Sequence, residues 1–151
     1  MCIIVDANLA SDVFNNKKAD FIPVLNWLDS DNGKLVINGD LPEELAKVSA
    51  ALRFIKSLKQ AGRVRHISEE DTAREKKQIF SLCKSKSNDQ HIIALARASG
   101  ARLLCSDDGL LGNDFKNTKL INNPQGHIYK EKKHQHLLKR YGHTSACKQK
   151  K

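Results

Sequence analysis

Acidic side chains that close or open elements of regular structure are where this chain could do chemistry. Asp6 follows the apolar run Ile3-Ile4-Val5 without a gap, and Asp107 follows Leu103-Leu104-Cys105 with only Ser106 between. Asp89 opens a helical stretch behind Ser87-Asn88, while Glu43 and Glu44 sit in the first turn of another. Carboxylates gathered in one place repel each other, and a cation cancels that cost. Hard oxygen ligands select Mg²⁺ or Mn²⁺. Such ions can generate a hydroxide-like nucleophile and stabilise the departing oxygen of an in-line displacement at phosphorus. Metal-assisted phosphodiester hydrolysis is the chemistry this set suits. Each acid also has a local explanation: a turn residue for Asp6 and Asp107, an N-cap for Asp89, a solvated first-turn acid for Glu44. Asp6 resists it best, because a charge set hard against a buried strand is costly without a partner.

The acids matter only if the elements around them converge. Ile3–Val5 reads as a short buried strand, Asn8–Phe14 as a helix, and Ala19–Asp29 as a second helix. The second places Phe21, Val24, Leu25 and Leu28 on one face. Asp31-Asn32-Gly33 is a turn signal ahead of a strand over Lys34–Asn38. Pro42 fits the first turn of a helix in which Leu45, Val48, Leu52 and Ile55 recur at three- and four-residue steps until Gly62. Val64–Ile67 is a third strand, and Ser68 opens a helix towards Cys83 with Asp71 in the capping-box position. After a polar break over Ser85–Asn88, Asp89–Ser99 is a helix burying Ile92, Ile93, Leu95 and Ala96, and Gly100 stops it. Arg102–Cys105 is a fourth strand. Lys119–Ile121 reads as a short fifth, followed by a break at Asn122-Asn123-Pro124, an extended His127–Tyr129 and a last helix over His134–Tyr141.

This alternation predicts an α/β fold, a three-layer α/β/α sandwich around a mostly parallel sheet. Ligands of such sheets bind beyond the carboxyl ends of the strands. Helices returning across the sheet start near that edge, so all four acidic positions can meet there.

These residues resemble the PIN-domain nuclease family. Ile3-Ile4-Val5-Asp6-Ala7-Asn8 is similar to the family's opening strand with its first metal-binding Asp. Ser87-Asn88-Asp89-Gln90-His91-Ile92-Ile93-Ala94-Leu95-Ala96 is similar to the helix carrying its third acid, and Arg102-Leu103-Leu104-Cys105-Ser106-Asp107 to the next strand and fourth acid. The similarity spans roughly Met1 to Ile121, the middle by element order alone. It implies that Asp6, Glu44 (with Glu43 as rival), Asp89 and Asp107 are catalytic and bind Mg²⁺ or Mn²⁺. Asn8, Ser106 and Asp108 would support them; a further family acid falls on Gly109, so Asp108 is its only substitute. The family implies a single-strand-specific endoribonuclease with an RNA substrate, many relatives being toxins of prokaryotic toxin–antitoxin pairs, and a cytoplasmic location is expected by default. The family also implies an antitoxin or other regulatory protein as partner, and homodimerisation, for which Trp27 is a candidate exposed apolar side chain. A catalytically inactive RNA- or protein-binding module and a DNA nuclease are the alternatives.

Charge divides the chain. From Gln125 onward eight Lys/Arg face Glu131 alone, so seven of the nine net positive charges lie there. Residues 1–124 are therefore read as the nuclease-like domain and 125–151 as a basic extension. Lys130, Lys132, Lys133, Lys139 and Arg140 are its candidates for gripping nucleic acid. Tyr129 and Tyr141 could stack on bases, and core packing is the other reading of Tyr129. His134, His136, His143 and Cys147 match no common zinc spacing. Cys2, Cys83, Cys105 and Cys147 lack a C-x-x-C pair and are read as free thiols. No apolar run reaches the length of a membrane helix, and Asp6 interrupts the N-terminal apolar stretch too early for a signal peptide. No G-x-G-x-x-G follows a strand, which excludes dinucleotide binding. Asn8 stands where a haloacid-dehalogenase phosphatase needs its second Asp, and no phosphorylatable Asp of the receiver type follows Val64–Ile67.

Overall fold

A computed structural model describes residues 2–15, 18–30, 33–38, 49–82, 90–122 and 125–140. Glu43, Glu44, Asp89, Tyr141, His143 and Cys147 lie outside the described residues, as do the side chains of Lys139 and Arg140. Five strands form one sheet: β1 (Cys2–Val5), β2 (Lys34–Asn38), β3 (Val64–Ile67), β4 (Leu103–Cys105) and β5 (His127–Tyr129). Their order is β3-β2-β1-β4-β5 and every pairing is parallel.

The helices are α1 (Ala10–Phe14), α2 (Ile22–Ser30), α3 (Ser49–Gln60), α4 (Glu69–Leu82), α5 (Gln90–Ser99), α6 (Gly109–Lys116) and α7 (His136–Arg140). Right-handed crossovers fix which face each one covers. From β1 to β3 the chain steps one way, so α1, α2 and α3 share a face. From β3 it steps back across β2 and β1 to β4, which sets α4, α5 and α6 on the other. The result is the expected three-layer sandwich. Covered on both sides, β1 and β4 are buried at every residue, which is why they read as continuous apolar runs rather than alternating ones.

Local chemistry sets the ends of the elements. Ser68 Oγ accepts the Asp71 N–H at 3.2 Å and starts α4, and Gly62 ends the preceding helix in the left-handed region at φ 71°. Arg97 Nε on Glu75 Oε2 at 2.8 Å ties α5 to α4. Phe21, Val24 and Leu28 are buried as the periodicity of α2 predicts.

Four expectations need correction. Lys119–Ile121 is a turn, not a strand. Asn117 takes up its main-chain donors, with Lys119 N–H on Oδ1 at 3.0 Å and Leu120 and Ile121 N–H on its carbonyl at 3.0 and 2.9 Å. Groups bonded locally cannot join a ladder. The fifth strand is His127–Tyr129, inside the stretch set apart as a basic extension, and Tyr129, Leu137 and Leu138 from that stretch are buried. Trp27 is not exposed but 3% accessible, with its ring lying over Gly33. Cys105 is a free buried thiol as expected, but Cys2 is disulfide-bonded.

β5 approaches α6 closely enough that position 126 must lack a side chain, since a Cβ there would press on the Phe115 carbonyl oxygen and ring. Gly126→Ala is expected to destabilise the fold by about 1–3 kcal/mol, the usual cost of overpacking. Urea denaturation would show it, and an unchanged midpoint would mean that β5 is loosely held.

Candidate functional site

Reversal of strand order opens a crevice where β1 and β4 lie side by side, their connections leaving in opposite directions. Asp6 leaves β1 at this point. Its N–H still bonds the Cys105 carbonyl at 2.9 Å, which keeps the backbone in line with β4. Its own carbonyl accepts the Leu9 N–H at 2.9 Å, starting the short 3₁₀ turn Ala7–Leu9. Backbone bonds on both sides thus hold the carboxylate at the rim, only 4% exposed.

Both carboxylate oxygens of Asp6 are engaged. Oδ1 accepts the Asn8 N–H at 3.2 Å, and Oδ2 accepts the Ser106 hydroxyl at 2.9 Å. Ser106 Oγ in turn accepts the Asp108 N–H at 3.1 Å. That bond sets the direction of the hydroxyl proton: with a lone pair occupied by Asp108, the Ser106 proton goes to Asp6. Hydrogen bonds to a charged group are worth about 1.5–3 kcal/mol each, enough to offset part of the burial cost.

The supporting residues act differently from one another. Asn8 holds Asp6 through its main chain, and its side chain is exposed. Asp108 caps α6, its Oδ1 accepting the N–H groups of Leu110 at 3.0 Å and Leu111 at 3.2 Å. Asp107 is exposed beside the buried Ser106. Burial, then the Asp6 and Asp107 charges, push the Cys105 thiol well above its ordinary pKa and keep it neutral.

Three further residues carry no sequence signal of their own. Lys18 pairs with Asp12 at 3.0 Å. Its pKa is raised by that hydrogen bond and the Asp12 charge, with Asp107 and Asp20 adding to the pull. A lysine therefore stands beside the acidic rim. Asn38, 2% exposed, ends β2 on the same edge of the sheet. Nothing in the spacing of Asp12, Lys18 or Asn38 ties them to Asp6; only the folded chain does.

Asp6 and Asp107 thus stand at one rim, while Glu43, Glu44 and Asp89 lie outside the described residues. Among the described residues no three of His, Cys, Asp and Glu form a metal-binding group. The donors that are present, two carboxylates and a serine hydroxyl, are hard oxygens that fit Mg²⁺ or Mn²⁺ and suit zinc poorly.

The PIN domain family matches residues 3–116. This chain belongs to the PIN-domain family. Among solved structures, the crystal structure of VapBC2 from Rickettsia felis bound to a DNA fragment from their promoter shares the fold. It aligns with a TM-score of 0.51 at 16% identity, covering 86% of this chain and 100% of that one. No curated protein matches the chain. In PIN terms the matched segment runs from β1 to the end of α6, so β5 and the basic residues beyond it fall outside it.

In that outer segment Tyr129 is fully buried rather than open to a base. Its hydroxyl donates to the Asp20 carbonyl at 2.6 Å and its ring packs beside Phe21. His134 Nδ1 accepts the N–H groups of Lys130 at 3.1 Å and Glu131 at 3.3 Å, a turn-capping role. Lys130, Lys132 and Lys133 are exposed, Lys133 pairing with Glu131 at 2.8 Å. Among the described residues no helix is long and apolar enough to cross a membrane.

Ser106→Ala removes the donor to Asp6 Oδ2 and is expected to lower folding stability by about 1.5–3 kcal/mol. Chemical denaturation reads the change; a midpoint equal to that of the unaltered protein would show that this bond does not hold the carboxylate.

Proposed function

We propose that this chain is a divalent-metal-dependent endoribonuclease that cleaves single-stranded RNA, of toxin or defence type. Membership of the PIN-domain family supports nuclease activity. The shared fold with VapBC2, a toxin–antitoxin complex by its name, supports the toxin reading and an antitoxin or other regulatory protein as partner. The observation that carries the proposal is the buried Asp6 carboxylate at the β1–β4 crevice, aimed by Ser106. Such a charge is costly to keep and is most simply explained by a cation in the working enzyme.

Asp6 and Asp107 would hold Mg²⁺ or Mn²⁺ together with Glu44 (or its neighbour Glu43) and Asp89. The ion would supply an activated water and offset charge at the scissile phosphate. The chain's own residues then have separable tasks. Ser106 fixes the rotation of the Asp6 carboxylate, and Asp108 fixes Ser106 while anchoring α6. Asn8 holds the second Asp6 oxygen by its main chain and offers an exposed amide at the rim. Lys130, Lys132, Lys133, Lys139 and Arg140 would neutralise phosphates of the bound strand. A cytoplasmic location and a homodimer accompany this reading.

Asp6→Asn keeps the shape of the side chain and removes its charge. We expect cleavage of single-stranded RNA in Mg²⁺ or Mn²⁺ to fall by about a hundredfold or more while the circular dichroism spectrum stays native, because an amide is a poor ligand for a hard cation. Undiminished cleavage would remove Asp6 from the site, and equal cleavage of DNA would favour the DNA-nuclease alternative. Replacing Lys130, Lys132 and Lys133 together by Ala should weaken RNA binding and lower its log–log salt slope by about 0.7 for each phosphate that is no longer neutralised. A slope that does not move would separate these lysines from RNA.

A further inference from the structure

Along β3, an edge strand separated from β1 and Asp6 by β2, runs an open groove of about 760 Å³ lined by all four residues of the strand. A hollow of about 280 Å³ adjoins it, sharing Glu75, Arg97 and Arg102. One wall is a single face of α4, where Asp71, Arg74 and Glu75 recur at helical spacing. The other is the end of α5 with Arg102 just beyond it.

Two properties of this groove are unusual for a surface hollow. The first is its strand. β3 is the last strand of the sheet on that side among the described residues. Leu35 N–H donates to the Arg63 carbonyl at 2.9 Å, and the register pairs Val36 with Arg65. Alternation along a parallel strand therefore turns the main-chain groups of Arg65 towards β2 and those of Val64 and His66 outward. An outward row of this kind is a ready template for another strand.

The second property is charge. Four arginines face two acids along the lining, and the two acids are already taken: Asp71 by Arg74 at 3.2 Å and Glu75 by Arg97 at 2.8 Å. Arg102 is 8% exposed, and its acceptors among the described residues are neutral carbonyls: Ala96 and Ala101 at 2.9 Å, Asn122 at 3.3 Å. Its buried Nε has no hydrogen-bond partner among the described residues. Burial and the nearby Arg97 both push its pKa down. A guanidinium does not deprotonate in response, so the positive charge stays and awaits an anion.

We propose that the groove beside β3 docks an extended, carboxylate-bearing peptide segment of a partner protein. The segment pairs with the outward main-chain groups of Val64 and His66 and turns acidic side chains towards the end of the groove where Arg102 lies. Added strands gain affinity from the main-chain ladder and specificity from alternate side chains, which here meet guanidinium groups. A nucleic-acid strand fits this groove less well, because Asp71 and Glu75 would repel an unbroken row of phosphates. A peptide can place its carboxylates singly. The site is independent of the nuclease reading, since it lies along β3, which β2 separates from β1 and Asp6.

The test uses the full chain and a synthetic octapeptide of alternating Val and Glu, with amide hydrogen exchange followed by NMR and affinity by fluorescence anisotropy. The Glu peptide is expected to bind and to slow exchange at Val64 and His66. The same peptide with Lys for Glu, or with alternate amides N-methylated, is expected to bind about tenfold more weakly or worse. His66→Pro, which removes an outward N–H that an edge strand can spare, should weaken binding similarly. If that variant does not fold, the N-methylated peptide on the unaltered protein makes the same point. Equal binding of the Lys peptide, no protection at Val64 and His66, or protection of those amides by a short single-stranded RNA in place of the peptide would overturn the proposal.

Discussion

Burying one carboxylate at the point where strand order reverses is the constraint around which the rest of the structure is arranged. Asp6 cannot turn to water, because its N–H is committed to β4 and its carbonyl to the turn that follows. Its charge must therefore be met from inside, and Ser106 meets it from the end of the neighbouring strand, a hundred residues later in sequence. Ser106 is itself held by Asp108, which also caps α6. The orientation of one acid is thus coupled to the start of a helix. A pre-aimed carboxylate costs less to reorganise when a ligand arrives, as sites for charge-dense cations require.

The same parallel sheet gives the two ends of the molecule opposite character. Strands all point one way, so their carboxyl ends gather the residues that follow strands, here Asp6, Asn38 and Asp107. Their amino ends gather what precedes strands, among them Arg102. At the carboxyl rim the excess is negative and calls for a cation. At the amino end the excess is positive, satisfied in part by carbonyls of α5 and of the chain beyond α6. Polarity of this kind follows from the βαβ connection itself, because each crossover returns the chain to the same end before the next strand begins.

The segment after α6 shows how poorly charge marks a boundary. A basic run beginning at Gln125 looks like an appendage when only charge is counted. Yet His127–Tyr129 pairs with β4, and the Tyr129 hydroxyl reaches back to the carbonyl of Asp20. Lys132 N–H bonds the Asp20 carboxylate at 3.1 Å as well. Exposed lysines here are carried by a strand and a turn that the core holds fast, so they form a fixed charged surface instead of a loose tail.

The sequence by itself determined the α/β class, four of the five strands, the buried face of α2 and the cap of α4, because hydrophobic period and capping residues act over a few neighbours. It also singled out Asp6 and Asp107, since an acid placed at the end of an apolar strand is a local anomaly. Only the tertiary structure decided that Ser106 donates to Asp6, that Lys18 stands near Asp107, that Trp27 is inside and that β5 is His127–Tyr129. Leu120 and Ile121 looked like a strand because they are buried; a turn can bury an apolar pair too, once a side chain such as Asn117 satisfies its backbone. Local pattern fixes whether a residue wants to be buried, but the partner that buries it or shares its charge is chosen by folding the chain back over distances that no spacing rule encodes.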